Sequence, residues 1–390
     1  MKICILTPRF SFPESGGDLL RINHVVRYLK SQGHHLILIS YLEKGQTPTI
    51  TEDLYDRVYT IRRSRISSLL QSARFLLSGK PIQCGYYYSR RFQKLFHQVI
   101  QKEQPDLYVS HLMRMLPFIE NEGKVGQTIV EMTDALSKTY QLSSNARGSW
   151  LKRVMYDIEK RIIGPYELSV IKKYPKVVLV SQSDADYLSK QLNPSDRIHL
   201  TVHTNGVNLS PRPSKVYDCN KICFIGNMVS LPNQDAAIFF AQNVFPLIHR
   251  ANPDARFYIV GNNPPSSVRS LADDKRIFVT GFIEDMDGFI ADMCVAVAPV
   301  NIAAGIQNKV LVAMASKIPV VLSSLIAKPI SELKPGENCF VCDTPQSYAD
   351  SCLHLMNDSQ LRNQMAEKGY DMVKQYYVWS AKLKGYELLP

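Results

Sequence analysis

Short apolar runs of strand length alternate with longer amphipathic stretches along the chain. The run ICILT at 3–7 is followed by a glycine-bearing loop at 11–18, and apolar residues then recur at helical spacing from 19 to 33. HLILISY at 35–41 is a second strand-like run. Because a strand, a helix and a strand follow each other closely, this segment predicts a βαβ unit and therefore a parallel sheet.

The same alternation begins again with KICFIGN at 221–227, after the proline-rich segment SPRPSKV at 210–216 has interrupted it. A chain of 390 residues is also longer than one hydrophobic core usually serves. We therefore expect an α/β protein with two Rossmann-like domains, the first over residues 1–212 and the second over 213–375. The remaining predicted strands are at 106–111, 128–134, 177–182, 256–261, 277–282, 294–300 and 319–324, and the remaining predicted helices at 86–103, 151–173, 234–250, 285–292 and 307–316.

The net charge of +11 is distributed unevenly. Residues 215–375 contain 14 lysines and arginines against 16 aspartates and glutamates, whereas the rest of the chain contains 32 against 19. A basic surface of this kind attracts anionic lipid, although a solvated face is the alternative. Charge alone would also suit nucleic acid, but no nucleic-acid motif accompanies it, so none is expected as a partner. The basic residues concentrate at Arg57, Arg62, Arg63, Arg65, Arg74, Lys80, Arg90, Arg91 and Lys94, and again at Lys152, Arg153, Lys160, Arg161, Lys172, Lys173 and Lys176.

The eight cysteines are scattered, and several lie within apolar runs where a thiol behaves as a small core residue. Cys339 and Cys342 form a C-x-x-C pair, but no second pair or histidine cluster has the spacing of a zinc site. The N-terminal apolar run is too short for a signal peptide, and no stretch approaches the length of a membrane span. We expect a cytoplasmic protein that lies at most on the inner face of a membrane.

Glycines follow two of the predicted strands, where open parallel sheets bind their ligands. Gly16 and Gly17 come after the first strand, and Gly226, Asn227 and Met228 follow the strand that opens the second domain. Such glycines let a backbone approach a ligand, although an ordinary tight turn explains each equally well. The G-x-G-x-x-G spacing of a dinucleotide site is absent, which argues against an NAD-dependent oxidoreductase.

A third glycine lies in AAGIQNKVLVAMASKIPVV at 303–321. Gly305 stands at the start of a predicted helix, and Lys309 lies in its first turn. Helix N-termini present free N–H groups and a partial positive charge, so they hold phosphates, and the lysine would add a full charge. An ordinary crossover helix that begins with glycine remains the alternative.

The same segment resembles the signature of glycosyltransferase family 4, whose members are retaining enzymes of the GT-B fold. It is most similar to the branch associated with exopolysaccharide and exosortase-linked sugar transfer. The resemblance implies two Rossmann-like domains facing across a cleft, with a C-terminal helix over 376–390 crossing back to the N-terminal domain. The N-terminal domain would bind the acceptor, and the C-terminal domain would bind the nucleotide-sugar. The blocks that carry it lie in order at 13–36, 204–209, 224–248, 279–286, 303–321 and 376–389.

The resemblance implies a role for each matching position. Gly16 and Gly17 would face the donor phosphates, while Gly226, Asn227 and Met228 would flank the diphosphate. Phe282, Ile283 and Glu284 would contact the nucleobase. His111 would approach the transferred sugar, although a strand-end histidine bonded to the backbone is the alternative. Lys309 would hold the sugar and diphosphate together with the preceding positions Gly305, Ile306, Gln307 and Asn308.

The implied mechanism stabilises the leaving nucleoside diphosphate by N–H groups and a lysine aimed at its growing charge. No D-x-D-like carboxylate pair is placed to hold a metal against a diphosphate, so no metal and no other cofactor is expected. The donor would be a UDP- or GDP-linked sugar. The acceptor would be a saccharide or a polyprenyl-linked saccharide at an anionic membrane surface, in surface polysaccharide biosynthesis. The oligomeric state is not predicted.

Two positions depart from the family signature. Val312 replaces the glutamate that typically binds the ribose hydroxyls, and Ala304 stands at the partner position. Each missing charged hydrogen bond would cost about 1.5–3 kcal/mol of donor binding. An active transferase would then use a different donor, or rely on its backbone and Lys309. The alternative is a catalytically impaired homologue that acts as a scaffold in a glycan-assembly complex. A sugar-nucleotide epimerase shares the same architecture, but the carboxylates and histidines that it would need cannot be placed.

Overall fold

The computed structural model describes residues 1–12, 17–43, 45–47, 53–142, 150–210, 216–300 and 306–389. The chain divides into two compact units. Unit 1 consists of Met1–Asn205 together with Leu383–Pro390, and unit 2 consists of Gly206–Lys382. Each unit has its own parallel sheet and its own buried apolar core, as the two series of strand-like runs predict. The roles in acceptor and donor binding expected for the two domains remain predictions.

The sheet of unit 1 has seven strands in the order β3-β2-β1-β4-β5-β6-β7. Every neighbouring pair is parallel. The central strands are buried on both faces, which is why they appear in the sequence as unbroken apolar runs. The strands are β1 (Lys2–Thr7), β2 (His35–Leu42), β3 (Arg57–Arg62), β4 (Leu107–His111), β5 (Thr128–Thr133), β6 (Lys176–Leu179) and β7 (Leu200–Val202). The α-helices are α1 (Gly17–Ser31), α2 (Arg65–Leu77), α3 (Ile82–Tyr87), α4 (Arg90–Glu103), α5 (Leu116–Asn121), α6 (Leu136–Leu142), α7 (Trp150–Lys173) and α8 (Gln182–Ser189).

The sheet of unit 2 has six parallel strands in the order β10-β9-β8-β11-β12-β13. In both sheets the strand order reverses beside the first strand, so the switch points lie between β1 and β4 and between β8 and β11. The strands are β8 (Asp218–Ile225), β9 (Arg256–Val260), β10 (Ile277–Gly281), β11 (Met293–Ala298), β12 (Val320–Leu322) and β13 (Phe340–Val341). The α-helices are α9 (Leu231–Phe239), α10 (Phe245–Ala251), α11 (Ser266–Arg269), α12 (Met286–Phe289), α13 (Asn308–Ala315), α14 (Ser324–Ala327), α15 (Pro345–Asn357), α16 (Ser359–Tyr376) and α17 (Trp379–Lys382).

Two helices expected as single elements are interrupted. The prediction of one helix over 86–103 is wrong in its first part, because Tyr88 and Ser89 are extended and separate α3 from α4. The helix expected over 234–250 begins earlier, at Leu231, and contains a π-helical turn at Phe240–Val244 before α10. Pro246 follows this turn, and a proline has no N–H to continue the regular α-helical pattern.

The C-terminal segment forms less helix than expected. Over 376–390 the described structure contains only the last residue of α16 and the four residues of α17, and residues after Lys382 form turns. These last residues belong to unit 1, where the Lys176 ammonium donates to the carbonyl oxygens of Gly385, Tyr386 and Leu388, each at 2.9 Å. The chain thus returns to unit 1 by a turn rather than by a long helix.

Several elements have no counterpart among those predicted from the sequence. The edge strand β3 is half-exposed and lacks a continuous apolar run, so its pattern is weak. The long helices α15 and α16 also lay outside the predicted elements. Among the described helices, none combines the length and the apolar character needed to cross a membrane.

Candidate functional site

The switch point of unit 2 collects residues from three elements. The loop after β8 carries Gly226, Asn227 and Met228, and helix α13 follows β11, the neighbouring strand. Helix α13 begins at Asn308, so Lys309 lies in its first turn as the sequence predicts. Ligands of open parallel sheets bind beyond the carboxyl ends of the strands at such a point.

The side chain of Asn233 links these elements. It lies in the first turn of α9, where its amide nitrogen donates to the carbonyl oxygen of Asn227 at 2.8 Å. Its amide oxygen accepts a hydrogen bond from the ammonium of Lys309. A Cβ atom on Gly226 would come within 3.0 Å of the Asn233 side chain. A side chain at Gly226 would therefore press directly on the group that positions Lys309.

Gly261, which ends the β9 run, fixes the loop from its other side. Its φ is +155°, and a Cβ atom built there would lie 1.8 Å from the carbonyl oxygen of Gly226. Only a residue without a side chain fits that approach. The N–H groups of Gly226 and Met228 donate to the carbonyl oxygens of Val260 and Asn262, both at 2.9 Å. The loop is consequently held by main-chain hydrogen bonds to the end of β9.

Lys309 is a half-buried cation, with its ammonium 5.0 Å from the ring centroid of Phe224. Burial lowers the pKa of Lys309 to about 8, because a charge is less stable away from water. Among the described residues, no carboxylate lies within ion-pair distance of this ammonium. A desolvated cation that lacks an anionic partner is an arrangement suited to binding an anion.

The other residues predicted in the β8 loop differ in what they can offer a ligand. Asn227 is exposed, and its side-chain oxygen accepts from the N–H of Val229 at 3.1 Å. The side chain of Met228 is completely buried in the core, and its carbonyl oxygen accepts from Gln234. The N–H groups of Gly226 and Met228 are already used within the fold. Asn227 is therefore the member of this loop that presents a side chain outward.

The residues predicted around the nucleobase follow the edge strand β10. The ring of Phe282 is 73% exposed, Glu284 is also exposed, and Ile283 packs partly against the core. Strand β9 separates β10 from β8, which places these residues about 10 Å across the sheet from the β8 loop. That separation suits the distance between the phosphates and the base of one nucleotide, and direct contact of this group with Lys309 is not observed among the described residues.

The segment before α13 is only partly described. Ile306 and Gln307 are half-buried, Ile306 packs against the core, and Asn308 is exposed at the first position of the helix. Gly305 and Ala304 lie outside the described residues. Val312 is half-buried and packs against the core from the same helix face as Lys309, three residues earlier. An apolar side chain therefore occupies the place where the resembled family has a glutamate.

In unit 1, His111 is the last residue of β4, the strand that flanks the switch point. Its side chain is completely buried, and neither ring nitrogen has a hydrogen-bond partner in the part of the chain that the structure describes. Burial lowers the pKa of His111 to about 3, while the nearby Asp18 acts in the opposite direction. The imidazole is therefore neutral at physiological pH, and its predicted contact with a sugar remains a prediction.

Helix α1 is the element that follows β1 in the chain. Gly17 is the first residue of this helix, and none of the described atoms lies within 4 Å of a Cβ built on it. The fold itself therefore does not require the small size of Gly17. Asp18 is paired with Arg9, and although burial opposes the change, this partner lowers the pKa of the carboxyl group. Gly16 lies outside the described residues.

Asn233, Gly261 and the strained backbone beside His111 are not among the site residues predicted from the sequence. Leu112 has a φ of +66° with a ψ of 153°, a conformation rarely adopted by a branched residue. Its N–H donates to the carbonyl oxygen of Glu131 at 2.9 Å, which helps to hold it. Strain of this kind is frequent at functional sites. No sequence pattern identifies it, whereas the position of Asn233 within 224–248, a block that carried the resemblance, was a usable signal.

Neither the open cavity of unit 2 nor the C-x-x-C pair belongs to this cluster. A cavity of about 510 Å³ lies along β9 and β10, lined by residues that include Tyr258, Phe278 and Phe289 and none of the predicted site residues. Cys339 and Cys342 are buried, and burial raises the pKa of the Cys339 thiol to about 12. In the described ranges, no three histidine, cysteine or acidic side chains are grouped as metal ligands.

Two Rossmann-like units, each with its own parallel sheet, are the architecture of the GT-B fold. The chain superposes over 99% of its length on TarM of S. aureus, in a complex with fondaparinux, α-GlcNAc-glycerol and UDP, with a TM-score of 0.63 and 12% identity over 99% of that chain. For HepE of Anabaena in complex with UDP and glucose, the TM-score is 0.60 at 14% identity, with 99% of this chain and 98% of that chain covered. For WaaG, a glycosyltransferase involved in lipopolysaccharide biosynthesis, the TM-score is 0.59 at 13% identity, with 99% of both chains covered. The prediction of two Rossmann-like domains with parallel sheets is confirmed.

Residues 219–358, which lie within unit 2, match the family model of the glycosyl transferases group 1. This range contains Asn233, Lys309 and the β8 loop. A curated relative is the protein described as "Uncharacterized 44.6 kDa protein in cps region" of Klebsiella pneumoniae, which is 21% identical over 392 aligned positions and 96% of each chain. The resemblance to a glycosyltransferase drawn from the sequence is thus confirmed.

Proposed function

We propose that the protein is a retaining glycosyltransferase that moves a sugar from a UDP- or GDP-linked donor to a saccharide or polyprenyl-linked acceptor in surface polysaccharide biosynthesis. The observation that carries the proposal is Lys309, a half-buried ammonium at the unit 2 switch point that no described carboxylate neutralises. The family match of unit 2 supports the reaction class. The relative from a cps region and the neighbours that bind UDP support the donor and the biosynthetic context.

In this proposal the leaving nucleoside diphosphate gains negative charge beside Lys309. The ammonium is held in place by Asn233 before the reaction, so it stabilises that charge without reorganising. His111 is the residue proposed to approach the transferred sugar, as a neutral hydrogen-bonding group. None of the eight cysteines forms a disulfide bond, in keeping with a proposed cytoplasmic location at the inner face of the cell membrane.

The test is a calorimetric screen of UDP, GDP and their common sugars with the wild-type protein, Lys309→Ala and Lys328→Ala. Lys328 is an exposed lysine of unit 2 and serves as the matched control. We expect one nucleotide to bind the wild type and Lys328→Ala equally, and to bind Lys309→Ala at least about tenfold more weakly. Equal binding to all three proteins would refute the role of Lys309, and absence of binding to any would refute the donor site.

A second function rests on Val312. An apolar side chain in place of the family glutamate favours a catalytically impaired homologue that binds a nucleotide or a partner enzyme as a scaffold. Wild-type protein that binds the nucleotide but neither transfers nor hydrolyses the sugar would favour this function. Turnover that persists in a chelator would instead support the transferase and its proposed independence of metal. Conversion of the donor sugar without an acceptor would point to an epimerase.

A further inference from the structure

Helix α2 of unit 1 turns a largely polar side inward, together with the buried Phe75, and exposes most of its large apolar residues. Ser68 is 2% exposed, and Gln71 and Ser72 are half-buried on the same side. The opposite side carries large apolar residues that are exposed to solvent. These are Ile66 (74%), Leu69 (68%), Leu70 (68%) and Leu77 (90%).

The inward side of α2 is fixed by close packing. Gly85 of α3 approaches it so closely that a Cβ there would lie 2.6 Å from the carbonyl oxygen of Gln71 and 2.8 Å from the Cβ of Phe75. Phe75 is buried in the same contact. A rotation that turned the leucines inward would separate these backbones. The exposed apolar face is therefore built into the fold.

Basic residues accompany the apolar face. Arg74 is exposed and lies four residues after Leu70, and Arg62 is exposed just before the helix. Within the described ranges, neither arginine has a carboxylate at ion-pair distance. Exposed leucines flanked by unneutralised arginines combine hydrophobic insertion with attraction to anionic headgroups.

We propose that the outward face of α2 (Ile66, Leu69, Leu70 and Leu77 with Arg62 and Arg74) inserts into the surface of an anionic lipid bilayer. Lipid fits better than a second copy of the chain, because two copies facing each other would bring like charges together. The basic surface predicted from the sequence is thus accompanied by an exposed apolar helix face. The inference does not depend on the proposed transferase activity, since it concerns a different surface and needs no donor.

The experiment is co-sedimentation of the full chain with vesicles of phosphatidylcholine alone and of phosphatidylcholine with about one third phosphatidylglycerol. The wild type is compared with Leu69→Ser/Leu70→Ser, with Arg62→Glu/Arg74→Glu and with Ile66→Ser. Ile198→Ser is the matched control for Ile66→Ser, because Ile198 is an isoleucine of unit 1 that is 66% exposed on another element.

We expect binding to the anionic vesicles that weakens at least about tenfold in the leucine and arginine double variants, and clearly in Ile66→Ser, but not in Ile198→Ser. We expect substitutions at these exposed positions to leave the fold intact, and circular dichroism verifies this for each variant. No binding of the wild type to the anionic vesicles would overturn the proposal. So would equal binding by wild type and α2 variants, or a wild-type dimer that the α2 variants convert to monomer without any vesicle binding.

Discussion

Among single residues, Lys309 has the clearest consequences, because its ammonium is partly buried. Its lowered pKa means that below about pH 8 the folded protein holds a buried ammonium, which costs stability. Between about pH 8 and the ordinary value of 10.5, the folded protein releases a proton that the unfolded chain keeps. The contribution of Lys309 to the free energy of unfolding therefore rises as the pH increases from about 8 to 10.5.

Binding of a diphosphate should reverse the effect of burial. The bound anion stabilises the ammonium, so at about pH 8.5 nucleotide binding is expected to take up protons from solution. Calorimetry in two buffers of different ionisation enthalpy measures this uptake directly. Lys309→Met should abolish the buffer dependence. A buffer-independent enthalpy in the wild type at that pH would contradict the placement of the diphosphate beside Lys309.

Asn233 provides a second test at this scale. Asn233→Asp would set a carboxylate against Lys309 in place of the amide oxygen, which raises the pKa of the lysine and competes with the diphosphate. Nucleotide affinity is expected to fall by about tenfold or more, and further than in Asn233→Ala. The control is Asn243→Asp, because Asn243 is an exposed asparagine of the same unit. Dissociation constants from titration calorimetry compare the three variants.

At the scale of elements, the contact between the β8 loop and the end of β9 depends on Gly261. Gly261→Ala would force a Cβ against the carbonyl oxygen of Gly226 in a backbone conformation that alanine rarely adopts. We expect a loss of about 3 kcal/mol in the free energy of unfolding, measured by urea denaturation. Gly126→Ala, where none of the described atoms lies within 4 Å of the added Cβ, should change it little.

Elements with continuous apolar runs could be predicted from the sequence, and these form the centres of both sheets. Strand β3 could not, because a half-exposed edge strand alternates weakly. Helix α2 could not, because Phe75 lies on the side opposite the exposed leucines, so its apolar residues do not form one stripe at helical spacing. The positions of Lys309 in the first turn of α13 and of the β8 loop beyond its strand could be predicted, because each follows a strand-like run. The contact between Lys309 and Asn233 was not, since it joins residues 76 positions apart and depends on the completed sheet.

At the scale of the whole molecule, the chain passes from unit 1 to unit 2 and back again. Lys176 is 4% exposed, and its hydrogen bonds to three carbonyl oxygens hold the returning segment. Lys176→Met would leave those oxygens unpaired in a buried place, and we expect a loss of about 2 kcal/mol in the free energy of unfolding. Lys172→Met, at an exposed lysine of the preceding helix, is the control. Equal denaturation midpoints for the two variants would contradict this role.

The return of residues 383–389 to unit 1 makes unit 2 an insertion with two covalent connections to the rest of the chain. Cleavage of the backbone at either crossing alone would leave the units joined through the other. Unit 1 also cannot complete its contacts until the ribosome has made all of unit 2, because Lys176 must wait for partners about two hundred positions later. Assembly of the first domain is thereby coupled to completion of the second.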